Sequence, residues 1–240
     1  MEQDSGRLKE AAGRAAVDAM VKSGMKLGLG TGSTAIHAVR RIGELMMQGI
    51  VRDISAFATS LQTEIECEKL GIPFYTLNSL ELSGGLDLTI DGADEIDPQN
   101  CMIKGGGGAM LIEKLAAYAS SSYAIIIDES KLTEHLGMGF PVPVEVVPAA
   151  RVQAARVLEK FCAIVMLREA LRKAGPVITE HGNLILDIRF GSPIDPVLME
   201  TELNKIPGVV ENGFFTRKPP IVYIARSNGT IETRDINTLC

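Results

Sequence analysis

Tryptophan is missing from this chain, and aromatic residues of all kinds make up only 5% of it. A core built without them has to be aliphatic, and 46% hydrophobic residues with 24 glycines point to an α/β protein on a parallel sheet. Cysteine and histidine are scarce too. The four cysteines (Cys67, Cys101, Cys162, Cys240) form no CxxC pair, and the three histidines (His37, His135, His181) are as scattered. No zinc spacing results, so neither a metal nor a cofactor is expected, and the thiols read as free in a reducing cytosol. Long basic runs are lacking and formal net charge is −6, which argues against a nucleic-acid partner. An anionic small molecule is not excluded, because backbone dipoles and a few lysines hold a phosphate inside an acidic protein. No apolar run is long enough for a membrane span, and the opening MEQDSGRLKEAAG has no signal-like apolar segment. The expectation is a cytoplasmic protein with no membrane partner.

What is present is punctuated alternation. Leu8 to Val21 has helical spacing, then Lys26 to Gly30 reads as a short strand running into Thr31-Gly32-Ser33-Thr34, with a helix from Ala35. Strand, glycine turn, polar N-cap and helix open a βαβ unit. Ile54–Ser60 reads as a strand, Gln62–Leu70 as a helix and Leu86–Asp91 as a buried strand. A Gly-rich loop, a helix over Ala109–Ser120 and a strand over Tyr123–Asp128 follow. From about Leu132 prolines crowd (Pro141, Pro143, Pro148). A helix is predicted over Ala149–Phe161, two strands around a polar turn within Gly175–Phe190, and a helix over Asp195–Ile206. The tail, Ile221–Arg234, reads as strand, Asn228-Gly229 turn and strand, and spacing alone assigns it to neither unit.

Three polar clusters fall at the carboxyl ends of predicted strands, the edge where open α/β sheets bind ligands. The first, Gly28 to Thr34, has glycines and hydroxyls ahead of a helix N-terminus, which suits a phosphate monoester. It is neither a P-loop nor a good dinucleotide fingerprint, and by itself it reads equally as a tight turn. The second, Asp91-Gly92-Ala93-Asp94-Glu95-Ile96-Asp97, fails the EF-hand pattern, since Ile96 and Met102 stand at positions six and twelve. Asp97 beside Pro98 suits a turn or cap, whereas Asp91 and Asp94 are candidates for chemistry. The third, Lys104 to Lys114, opens with four glycines that are costly to order. Glu113 is expected about two turns into the helix that follows, where a glutamate beside a lysine by itself reads as a solvated face. A phosphate loop, two carboxylates, a lysine and a separate glutamate suit proton abstraction beside a carbonyl.

Taken in order, GLGTGST, ATSLQTE, DGADEID, KGGGGAMLIEK, PVEVVP, TEHGNLILDI and NKIPGVVENGFF resemble the type A ribose-5-phosphate isomerase family over nearly the whole chain. The resemblance implies an α/β fold: a Rossmann-like open parallel sheet (1–133 and 207–240) with a smaller inserted α+β lid domain (134–206). The tail then returns to the first domain. It implies an aldose–ketose isomerase of the non-oxidative pentose phosphate pathway, metal-independent, working through a cis-enediolate on a sugar phosphate, as a homodimer or homotetramer. By motif, Thr31, Gly32, Ser33 and Thr34 touch the substrate and its phosphate, and Asp91, Gly92, Ala93 and Asp94 line the sugar. Lys104, Gly105, Gly106 and Gly107 form a second wall, and Glu113 is the proton acceptor. Lys131 in DESK matches a substrate lysine, and Lys9 in RLKEAAG a phosphate-side lysine. Glu180-His181 stands where the family usually has Asp-Asn. A sugar-phosphate sensor of this fold could dispense with Glu113 and Lys104. A deaminase or acyl-CoA transferase would not be expected to carry the DGADE and KGGGG phrases together.

Overall fold

The computed structural model of the chain describes residues 2–162 and 164–236. In chain order, helix α1 (Glu2–Met20) leads to strand β1 (Lys26–Leu29), α2 (Gly32–Met47), β2 (Ser55–Ala58), α3 (Leu61–Leu70) and β3 (Leu86–Asp91). Two short strands, β4 (Glu95–Ile96) and β5 (Met102–Ile103), precede α4 (Met110–Ala119) and β6 (Ser120–Asp128). There follow β7 (Val142–Val146), α5 (Arg151–Leu158), β8 (Ile164–Leu167), β9 (Leu184–Arg189) and α6 (Pro196–Asn204). The strands β10 (Val209–Asn212), β11 (Phe214–Phe215), β12 (Ile221–Ala225) and β13 (Ile231–Arg234) complete the set.

Two compact units result. The first takes residues up to Ala93, Ile112–Lys131 and those from Lys218 on; the second takes Asp94–Leu111 and Leu132–Arg217. The sequence reading keeps 94–111, 132–133 and 207–217 with the first unit, whereas contacts group all three with the second. The reason is pairing: β5 bonds to β4 on one side and to β11 on the other.

The first unit is built on a six-stranded sheet of order β13-β12-β6-β3-β1-β2, parallel from β12 to β2, with β13 added antiparallel at the edge. This is a Rossmann-like open sheet. One face carries Leu27, Leu29, Leu88, Ile90, Ala124 and Ile126 against Ala12, Ala16, Val17, Val39 and Ile42 of α1 and α2. Each fully buried Val, Leu or Ile side chain in that layer contributes about 1.5–3 kcal/mol from apolar burial. The chain leaves β1 for β2 on one side and returns to β3 on the other. The topological switch point therefore lies between the carboxyl ends of β1 and β3.

The second unit holds a four-stranded antiparallel sheet, β10-β7-β9-β8, and a three-stranded one, β11-β5-β4. Val142, Val144, Val146, Leu186, Ile188, Leu203 and Phe214 form its core. Sequence patterning misses β7, because prolines argue against an interior strand. Pro143 nonetheless sits in β7, and its carbonyl accepts from Gly213 N at 2.7 Å. The two strands expected around Thr179–Asn183 reduce to β9 and two isolated bridges, Pro176 to Glu169 and Ile178 to Leu184. At that turn Thr179 Oγ1 and Asn183 Nδ2 donate to Glu145 Oε1 at 2.8 and 2.9 Å. Glu180 and His181, the departure from the family phrase, are exposed at its tip. Among the described residues no helix is long and apolar enough to cross a membrane.

Candidate active site

The switch point is furnished by backbone that needs glycine. A Cβ on Gly28 would fall 1.9 Å from Thr89 Oγ1, and one on Gly30 would fall 2.1 Å from Asp91 Oδ1. Glycine on β1 thus makes room for the side chains of β3. Asp91 is fully buried there, and its Oδ1 accepts from Gly92 N at 2.7 Å and Thr31 N at 3.2 Å. One predicted carboxylate therefore fixes the loop that carries the predicted anion-binding residues.

That loop is more helical than expected. α2 begins at Gly32, whose φ of 97° suits only glycine, so Ser33 and Thr34 lie in the first turn rather than before it. Thr31 occupies the N-cap position, but its side chain makes no capping bond. Its Oγ1 joins a hydroxyl cluster instead, at 2.7 Å from both Thr59 Oγ1 and Ser60 Oγ. Gly32 N donates to Gln62 Oε1 at 3.3 Å. First-turn N–H groups have no partner inside a helix, so the N-terminus of α2 presents donors beside this loop. Lys9 Nζ lies 3.1 Å from Ser33 Oγ, which brings the weakest motif match beside the loop. Gly92 sits close to Thr34, a Cβ there falling 3.5 Å from Thr34 Cβ.

Glu113 is in the first turn of α4, not two turns in, because the helix starts at Met110. It is 5% exposed. One turn further on, Ala116 O accepts from Ser120 Oγ at 2.6 Å and Thr89 Oγ1 at 3.2 Å, which seats α4 on the β3–β6 face. Tyr123 pairs in register with Thr89 and is buried on this side. Its phenol is pushed well above the ordinary value by burial first, and then by the Asp91 and Glu113 carboxylates. Both acids thus act on one buried group. Lys131 closes a short turn after β6, shaped by Asp128 Oδ1, which accepts from Ser130 N at 3.0 Å.

In the second unit, Asp94 Oδ2 accepts from Gly106 N at 2.8 Å, and Asp94 N donates to Ile103 O at 2.8 Å. Lys104 is 2% exposed, with Nζ 5.6 Å from the Phe215 ring centroid, a cation–π distance. Gly105 has φ 101°, and a Cβ on Gly106 would meet Asp94 Oδ1 at 2.7 Å. The remaining acids of the cluster are structural. Asp97 Oδ1 accepts from Gln99 N and Cys101 N at 2.9 and 2.8 Å, and Glu95 holds Gly137 N and Phe140 N at 3.0 and 2.7 Å. Sequence reasoning did not single out Thr59, Ser60 and Gln62 as partners of the loop. Their density of polar groups at a strand end was the available signal.

The fold and these residues define a Rossmann-like α/β enzyme whose switch-point edge combines an anion-suited helix N-terminus with buried carboxylates. The chain belongs to the ribose 5-phosphate isomerase A (phosphoriboisomerase A) family, whose profile matches residues 55–229. A ribose-5-phosphate isomerase A of Treponema denticola is 48% identical over 236 residues, covering 95% of this chain and 99% of the relative. That of Trichodesmium erythraeum is 40% identical over 238 residues, covering 98% and 99%. The ribose 5-phosphate isomerase structure from Plasmodium falciparum superposes with a TM-score of 0.90 at 38% identity, over 96% of this chain and 98% of that one. A D-ribose-5-phosphate isomerase solved in complex with phospho-erythronic acid gives 0.90 at 36%, over 95% and 97%.

Proposed function

We propose that the chain interconverts D-ribose 5-phosphate and D-ribulose 5-phosphate by proton transfer through a cis-enediolate. Glu113 carries this reading: a buried carboxylate on α4, acting with Asp91 on the same buried phenol, in a family named for the isomerisation. Glu113 takes the proton from carbon 2 of the open aldose, leaving an enediolate whose negative charge Lys104 stabilises. It then returns the proton to carbon 1, and the shift of one hydroxyl proton from O2 to O1 completes the ketose. Ser33, Thr34, the first-turn N–H groups of α2 and Lys9 hold the phosphate. Asp91 and Asp94 serve ring opening and orient the sugar, with Gly92, Ala93, Gly105, Gly106, Gly107 and Lys131 lining it. General-base help of this kind is worth about 10²–10⁴-fold in rate.

Ribose 5-phosphate supplied to the purified protein in deuterated water tests the reading. Ketose should form and carry solvent deuterium, and Glu113→Gln should lower turnover by about 10²-fold or more while phospho-erythronic acid still binds. No ketose would leave a binding protein. A nearly fully active Glu113→Gln enzyme, or activity lost on chelation and restored by a divalent metal, would overturn the base route.

A further inference from the structure

The glycine loop after Lys104 is gripped from outside by a side chain that no local motif marks. Arg168, just past the end of β8, donates from Nη1 to Gly105 O at 2.9 Å and to Gly106 O at 3.1 Å. Its guanidinium is itself held on Asp187 of β9, Nε to Oδ2 at 2.8 Å and Nη2 to Oδ1 at 2.5 Å. Both side chains are largely out of solvent, at 15% and 14% exposure. The geometry is the bidentate fork that arginine makes and lysine cannot.

Peptide planarity turns this grip into orientation. In a trans peptide the C=O of one residue and the N–H of the next point in opposite directions. With Gly105 O turned to Arg168, Gly106 N–H faces the other way, and it is this N–H that donates to Asp94 Oδ2 at 2.8 Å. With Gly106 O also turned to Arg168, Gly107 N–H is directed away from the guanidinium in the same manner. A positively charged donor on the carbonyl also polarises the peptide and strengthens the bond its N–H makes. Four glycines would otherwise sample many conformers, and Gly105 at φ 101° is held where few residues can go.

We propose that Arg168, braced by Asp187, is a positioning residue that sets the Gly105 and Gly106 peptides and, through Gly106 N–H, the carboxylate of Asp94. This rests on the reading that Asp94 and the glycine loop act on the substrate. Arg168→Lys keeps the charge and loses the fork. It should lower kcat/KM for ribose 5-phosphate by about tenfold to a hundredfold, the scale expected for small misplacement of reacting groups, with the thermal midpoint nearly unchanged. In an Asp94→Asn background the same substitution should have a much smaller effect, since its main route to the chemistry, through the Asp94 carboxylate, is already cut. If Arg168→Lys does not fold, Asp187→Asn removes the brace alone and should give a smaller loss, again reduced in the Asp94→Asn background. Full activity in Arg168→Lys beside a crippled Asp94→Asn overturns the positioning role only, as does full additivity of the two. Full activity in Asp94→Asn would instead overturn the reading of the loop.

Discussion

At the scale of single residues, the acids after β3 separate by what they hold. Asp97 and Glu95 spend their oxygens on backbone N–H groups of a turn and of the 137–140 loop. Asp91 and Asp94 each brace a loop that the family phrase assigns to substrate. Lys104 is nearly inaccessible and seated by the Phe215 ring, a placement that suits stabilising charge more than capturing ligand from solution. On the proposed enediolate route, Lys104→Ala should lower kcat far more than it raises KM, because the charge it would stabilise exists mainly near the transition state. Steady-state kinetics on ribose 5-phosphate decides this. A raised KM with intact kcat would make Lys104 a binding residue. The turn role of Asp97 was legible beside Pro98, but that of Glu95 was not, since it depends on the fold bringing the N–H groups of Gly137 and Phe140 to its carboxylate.

At the scale of elements, α2 and α3 are joined by charge as well as by apolar packing. Arg40 Nε donates to Glu66 Oε1 at 2.6 Å, and Lys69 Nζ reaches Oε2 at 3.3 Å. The Arg40 hydrogen bond holds the Glu66 carboxyl below its usual range, against the opposing effect of burial. A folded value below the unfolded one adds stability that is fully present above the unfolded pKa, about 4.3, and fades as pH falls through the folded value. Denaturation of wild type and Glu66→Gln from about pH 7 to pH 3 should show a gap that closes below about pH 4. A gap unchanged down to pH 3 would assign Glu66 a packing role. The period of the apolar residues located α2, α3, β3 and β6 in the sequence. It did not locate β7 or β8: one carries Pro143, and the other alternates exposed and half-buried residues at a sheet edge.

At the scale of the whole chain, each unit has its own core and its own buried thiol. Burial is the first cause that pushes Cys67, in the first unit, and Cys101, in the second, up to about 12. At pH 8 the reactive thiolate is then on the order of one part in ten thousand. Iodoacetamide followed by peptide mapping should find both cysteines unmodified in the native protein and modified in denaturant. Native labelling of either at the denatured rate would show that its unit is not closed around it.

Glycine spacing, strand-end acids and aliphatic alternation pointed to an open parallel α/β sheet and to Thr31 to Thr34, Asp91, Asp94 and Lys104 as candidates, while the Rossmann-like class and the role of Glu113 came with the family resemblance. Those features are local, because a strand, a sharp turn and a helix N-terminus are specified by residues a few positions apart. Tertiary structure alone decided that Thr31 Oγ1 turns to Thr59 and Ser60, that Lys9 reaches Ser33, and that Arg168 grips a loop 62 and 63 positions earlier. Such contacts depend on strand order and register. Hydrogen bonds between residues far apart in the chain leave no periodicity in it, so only the folded backbone supplies them.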